Sequence, residues 1–278
     1  MSMNSINTNM SAMVALQSLN RTSDELAAVQ KRVSTGLRVS DARDDGAAFA
    51  VAERIRGDMA ATTSANQQLG GMKGLLAVTS AALQNVSTSL IKLRELTLKM
   101  ADAAISSTQL DQYHAQAQEI ANNIKSFITD ASYNGNNILN DPAATTMSVV
   151  SNGSGNYYSF NTYQAITDIY NNISLAGAYT KADAQSAMTA GGDLSLAVNN
   201  TLMQLNNFGS YANYIDGQIT YNKAIIDAQE SGMGALVDAD LAKESARLQA
   251  LQIRQQLGTQ ALGIANQSPQ ILLGLFKG

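Results

Sequence analysis

Residues 69–100 read LGGMKGLLAVTSAALQNVSTSLIKLRELTLKM. Within them Leu69, Met72, Leu76, Thr79, Leu83, Val86, Leu90, Leu93, Thr97 and Met100 follow alternating steps of three and four. That spacing is a heptad seam, apolar but for two threonines, and it predicts a long helix packed lengthwise on other helices. Upstream, Asp41, Asp44 and Asp45 suit a helix start, where side-chain oxygens and negative charge meet unpaired N–H groups. No proline interrupts residues 43–101. A helix of that extent is about 85 Å long at 1.5 Å per residue, which predicts a rod. Gly70, Gly71 and Gly74 are its weak point, at about 1 kcal/mol each relative to alanine.

Working outward, a second helix is expected over about 110–131, with Tyr113, Ala117, Ile120, Ile124 and Phe127 on one face. Residues 130–141 are turn-rich. Residues 147–150 and 157–160 flank Asn152-Gly153-Ser154-Gly155 and predict a β-hairpin near 145–163. Residues 164–192 suit a short helix and loops. Helical spacing returns with Leu194, Val198, Leu202, Leu205, Phe208, Ala212, Ile215, Ile219 and Ile226, and Ser231-Gly232-Met233-Gly234 reads as a break. A last helix over 238–266 carries Leu241, Leu248, Leu251, Leu257 and Leu262, and Ser268-Pro269 reads as a cap opening a short apolar end with Leu272 and Leu273. The N-terminal stripe is Ile6, Met10, Met13, Leu16, Leu19, Leu26, Val29 and Val33. Both ends are thus amphipathic and poor in charge, whereas chain ends are usually polar and frayed. Such ends are expected to pair with each other and with neighbouring copies.

Composition narrows the function. The 278 residues are 45% apolar and only 14% charged, so a real core is affordable without a strongly charged surface. Aromatics are 5%, so that core is aliphatic and rich in alanine. A net charge of −4 offers no basic field for nucleic acid. The absence of cysteine removes disulfides, thiol catalysis and cysteine zinc sites. No unbroken run of 18 apolar residues suggests a membrane span, and residues 1–20 carry neither the charge nor the apolar run of a cleaved signal. His114, the single histidine, reads as a surface residue. The glycines of residues 70–74 lack the order of a phosphate loop and do not follow a strand. The pairs Asp44/Asp45 and Asp238/Asp240 sit at expected helix starts, where the helix dipole accounts for them. No nucleophile–base pair emerges, so neither catalysis nor a cofactor is expected.

Two blocks at opposite ends resemble bacterial flagellin. The first holds Ile6-Asn7-Thr8-Asn9, Arg32-Val33-Ser34-Thr35-Gly36-Leu37-Arg38-Val39, Ala42-Arg43-Asp44-Asp45-Gly46-Ala47 and Ala50-Val51-Ala52-Glu53-Arg54-Ile55. The second holds Asp238-Ala239-Asp240-Leu241-Ala242-Lys243-Glu244 and Ala265-Asn266-Gln267-Ser268-Pro269-Gln270. Leu93-Arg94-Glu95-Leu96 and Tyr133-Asn134-Gly135 are also similar to the family. The resemblance covers about 1–140 and 194–278, with a short middle in place of variable outer domains.

The resemblance implies a mainly α fold: a rod of long, antiparallel, coiled-coil-like helices with a small β-hairpin, plus a terminal helix pair. It places a polymerisation domain at 1–40 with 236–278 and a helical rod domain at 41–235. It implies a subunit of a hollow filament used for swimming, joined to itself and to sister flagellins. Hook-associated and cap proteins, an export apparatus and an export chaperone are the other implied partners. The protein would be secreted to the flagellum without a cleaved signal. The side of the last helix bearing Gln252, Gln255, Gln256 and Gln260 would suit a wet central channel. Activating flagellins carry Arg, Leu and Gln where this chain has Lys92, Leu96 and Lys99, which implies weak engagement of the animal flagellin receptor. A hook–filament junction protein shares flagellin-like ends, but the block at 265–270 with Leu272 and Leu273 favours flagellin. A cytoplasmic coiled-coil signalling rod would lack such sticky ends.

Overall fold

The structure, a computed structural model, describes residues 9–143, 145–173 and 179–275, the last eight of these by backbone alone. Ile6 lies outside the described residues, as do the side chains of Leu272 and Leu273. In chain order the elements are α1 (Met10–Thr35), α2 (Gly46–Met100), α3 (Ser107–Thr129), β1 (Thr146–Val150) and β2 (Tyr157–Asn161). A π-helical turn (Ile166–Tyr170) then runs into α4 (Asn171–Ile173), followed by α5 (Lys181–Ala187), α6 (Asp193–Val237) and α7 (Leu241–Leu275). The chain divides into two compact units inside α2 and α6: residues 58–227 form one, and the chain up to 57 and from 228 forms the other. The expected limits at 40 and 236 fall near the turns that join α1 to α2 and α6 to α7.

The seam of α2 is the core of the 58–227 unit. Leu69, Leu76, Thr79, Leu83, Val86, Leu90, Leu93, Thr97 and Met100 are buried, and Met72 packs beside them. The two threonines are accommodated because each hydroxyl donates to the carbonyl one turn back, Thr79 to Leu75 and Thr97 to Leu93, both at 2.9 Å. α2 also contains one window long and apolar enough to cross a membrane, a property shared by soluble core helices. Here its seam is packed in the core.

Two expected faces and one expected break are corrected. On α3 the buried residues are Ala117, Ala121, Ile124 and Ile128, while Phe127 lies open, since the small alanines let the helix approach closely. On α6 the seam passes through Thr201 and Asn222 rather than Leu202, which is exposed. Asn222 is fully buried yet satisfied: its amide donates to Asn66 Oδ1 at 2.9 Å and to the Ser151 carbonyl at 2.8 Å, and its oxygen accepts from Gln218 Nε2 at 3.0 Å. α6 also continues through Gly232 and Gly234 to Val237. Burial of Val237 beside Val39 and Ala52, with Met233 packed against them, offsets the glycine cost.

The glycines of residues 70–74 are interior to α2, where backbone N–H groups are engaged in the helix and cannot cradle phosphate. Gly74 has a packing reason: a Cβ there would stand 2.9 Å from the Tyr133 ring. The hairpin forms as expected, pairing Thr146 with Asn161 through Val150 with Tyr157, and it buries Val149 and Phe160. α5 ties down the end of α2, with Lys181 Nζ and Gln185 Nε2 donating to the Ala103 and Ala101 carbonyls. His114 is half-buried rather than a plain surface residue, its ring stacked on Tyr179 at 5.5 Å.

Candidate assembly surface on the terminal helices

α1 starts where Asn9 Oδ1 accepts from the Ala12 N–H at 3.1 Å, and Asn9 Nδ2 reaches across to the Ala265 carbonyl at 2.8 Å. It ends at Gly36, whose φ of +73° closes the helix as glycine does at the residue after a helix end. The chain then meets the end of α6: Arg38 N–H donates to the Val237 carbonyl at 2.7 Å, and Ala239 N–H to the Gly36 carbonyl at 2.9 Å. α1 and α7 therefore lie antiparallel. Asn9 faces Ala265, Ser23 faces Gln255 at 3.4 Å, and Arg32 faces Glu244 at 3.5 Å.

The turn between α1 and α2 is held by charge. Lys31 Nζ lies 2.6 Å from Asp41 and 3.1 Å from Asp44. Asp44 also accepts from the Ser40 N–H and hydroxyl. These bonds hold the Asp44 carboxyl well below its ordinary range, the Ser40 backbone N–H and the Lys31 ammonium acting most strongly. Asp41 is lowered as well, first by Lys31, and Lys31 is raised, first by Asp41. Asp45 Oδ1 receives the Ala47 and Ala48 N–H groups, the expected helix start.

Along the α1–α7 seam the facing positions are Ala12, Ala15, Leu19, Thr22, Leu26, Val29 and Val33 on α1, and Glu244, Leu248, Leu251, Gln255, Gly258, Leu262 and Ala265 on α7, all buried or half-buried. Only Leu26, Val29 and Leu251 form a buried apolar cluster, with Val33 and Leu248 against it. The expected contact residues thus split. Leu19, Leu26, Val33, Leu248, Leu251 and Leu262 are spent on the pair itself. Met10, Met13, Leu16, Leu241 and Leu257 remain open, at 60%, 60%, 47%, 49% and 58% exposure. Val14, Ile253 and Ile264 join this open set and were missed in the sequence, although Ile253, Leu257 and Ile264 recur at steps of four and seven. Gln255 belongs to the seam, away from Gln252, Gln256 and Gln260, which are exposed. α7 also runs unbroken through Ser268-Pro269, so no new helix starts there. Helix-forming neighbours carry it past a residue that costs about 3 kcal/mol in a helix interior.

The three positions singled out on α2 do not share one exposure. Lys92 and Lys99 are open, Lys99 paired with Glu95 at 2.8 Å, while Leu96 is buried in the core.

Two family models match the chain: the bacterial flagellin N-terminal helical region over residues 6–144 and the bacterial flagellin C-terminal helical region over residues 194–276. Flagellin FljK of Caulobacter vibrioides is 35% identical over 277 residues, covering all of both chains. A flagellin of Brucella melitensis is 36% identical over 286 residues, covering 99% of this chain and all of that one. Among solved structures, one from Vibrio parahaemolyticus assigned as a flagellar hook-associated protein superposes with a TM-score of 0.58. It is 13% identical and covers 70% of this chain and all of that chain, which supports the helical fold. The chain therefore belongs to the bacterial flagellin family, and it is a structural subunit of the extracellular flagellar filament rather than an enzyme.

Proposed function

We propose that the open apolar residues of α1 and α7 are the contacts by which copies of this flagellin join, with residues 1–40 and 236–278 acting as the polymerisation domain and 41–235 as the helical domain. The observation that carries this reading is the set Met10, Met13, Val14 and Leu16 on α1 with Leu241, Ile253, Leu257 and Ile264 on α7, all large, apolar and at least 47% exposed. Covering each such side chain is worth roughly 1.5–3 kcal/mol before ordering costs. Repeated head-to-tail without closure, the contact yields an open helical polymer. Sparse charge lets such faces meet with few desolvation penalties. Ile6, Leu272 and Leu273 extend the same apolar ends.

The same ends suit the remaining partners. An export chaperone has apolar helices to cover, and hook-associated and cap proteins have like surfaces to meet. Passage of the unfolded chain through an export channel, without a cleaved signal, accords with the lack of cysteine. Lys92 and Lys99, with Leu96 turned into the core, support weak engagement of the animal flagellin receptor.

The test compares Leu16→Asp and Leu257→Asp with wild type, by circular dichroism melting of dissociated chain and by sedimentation after salting into filaments. Both variants should lose filament yield by about tenfold or more while the melt of the 58–227 unit stays in place. Wild-type yield from both would overturn the assignment.

A further inference from the structure

We propose that Met10 and Met13 are oxidation sites at which hydrogen peroxide stops the unassembled chain from entering the filament. The proposal rests on the assembly surface above. The chain holds eleven methionines and no cysteine, so thioether sulfur is its only sulfur and no thiol consumes the oxidant first. The structure separates these sulfurs sharply. Met100 is fully buried in the core, whereas Met10 and Met13 are each 60% exposed one turn apart on α1, beside Val14. Met203 on α6 is comparably open, at 55%, but lies outside the terminal-helix surface.

In the reaction a sulfur lone pair attacks one peroxide oxygen, the O–O bond breaks, an S=O bond forms and water leaves. Sulfur loses two electrons and peroxide gains them. The product is a polar, chiral group carrying a strong acceptor and no donor. Apart from the Ser11 and Ser18 hydroxyls, the groove beside Met10 is lined by Val14, Ala15, Gly258, Ala261 and Ala265, so closing an apolar subunit contact over a sulfoxide buries a strongly polar group where the thioether was tolerated. Once a contact has closed over unmodified methionine the sulfur is shielded. Oxidation therefore acts on the free chain and spares the polymer.

The experiment treats dissociated full-length chain with hydrogen peroxide, maps sulfoxide by peptide mass spectrometry and measures growth on preformed filament seeds by sedimentation. Sulfoxide should form at Met10 and Met13 well before Met100, and seeded growth should fall about tenfold in step with it. Methionine sulfoxide reductases A and B, with dithiothreitol as reductant, should restore growth, which reads the same point without any substitution. The double variant M10L/M13L retains the other nine methionines and should keep its growth rate after peroxide. In preassembled filaments Met203 should oxidise faster than Met10 and Met13. Undiminished growth with both sulfoxides present, equal loss in M10L/M13L, or oxidation of Met10 and Met13 no faster than Met100 would each overturn the proposal. Normal assembly of both Leu16→Asp and Leu257→Asp would instead remove the assembly surface beneath it, a result readable without peroxide.

Discussion

Along α2 the positions at three-and-four spacing hold Leu69, Leu76, Leu83, Leu90 and Leu93, and the core buries them all. Along α1 and α7 the same spacing holds Ala12, Ala15 and Thr22 on one side and Glu244, Gln255 and Gly258 on the other, while Met13, Leu16, Leu257 and Ile264 stay open. Both regions are long helices with an amphipathic pattern. In the 58–227 unit the large apolar residues of the α2 seam are satisfied inside one chain, although Ile91, Leu98, Leu202 and Met203 elsewhere in the unit are open. In the terminal pair the internal seam mixes Leu19, Leu26, Val29, Leu248 and Leu251 with small and polar residues, while Met13, Leu16, Leu257 and Ile264 await something outside the chain. The position of apolar bulk, more than its amount, separates a folding core from an assembly surface.

The strongest challenge to this contrast is Leu83→Ala. Leu83 is fully buried, so its truncation should cost about 2–5 kcal/mol of unfolding free energy, read from urea melts of dissociated chain. A loss under 1 kcal/mol would mean that the 58–227 unit is no better packed than the ends. Asn222→Ala should follow at about 1–3 kcal/mol, because the Asn66 oxygen and the buried Ser151 carbonyl lose their donor. A neutral result would show that this polar position in the α6 seam is dispensable.

Limited trypsinolysis sharpens the comparison from the other side. Cleavage in the terminal pair at Arg21, Arg247 and Arg254 should run about tenfold faster in dissociated chain than at Lys92 or Arg94, since few buried contacts oppose local opening of α1 and α7. Equal rates would contradict the division. The smallest effect concerns acid. Asp41 and Asp44 lie below their ordinary value of 3.8 in the fold, so their support of the α1–α2 turn is complete above about pH 4 and fades as pH falls through the depressed values. Lys31 is raised, so its share persists below its ordinary 10.5 and is lost only as pH rises past the raised value. Asp44→Asn should lower the neutral plateau of a melting-temperature profile slightly toward its acid value, and so flatten the acid limb.

The seam of α2 was legible in the sequence because large aliphatic residues mark nearly every position. The hairpin was legible because uncharged strand residues flank an Asn-Gly turn. The carboxylate start of α2 and the amphipathic ends were equally plain. Other features escaped for identifiable reasons. Periodicity in hydrophobicity cannot register Thr201 or Asn222 as buried, so the reading slid to Leu202. It could not separate the faces of α1, because Met13 and Leu16 look like core residues until Ala15 and Thr22 are seen facing α7. Nor did the glycines at 232 and 234 end α6, because packing of Met233 and Val237 outweighs local propensity. Residue type and spacing by themselves determined that this chain makes long helices with apolar stripes and a single hairpin. Only the tertiary structure decided which side of each stripe is used up within the chain and which remains open, because burial depends on what approaches a face, and a helix cannot encode its neighbour's position in its own period.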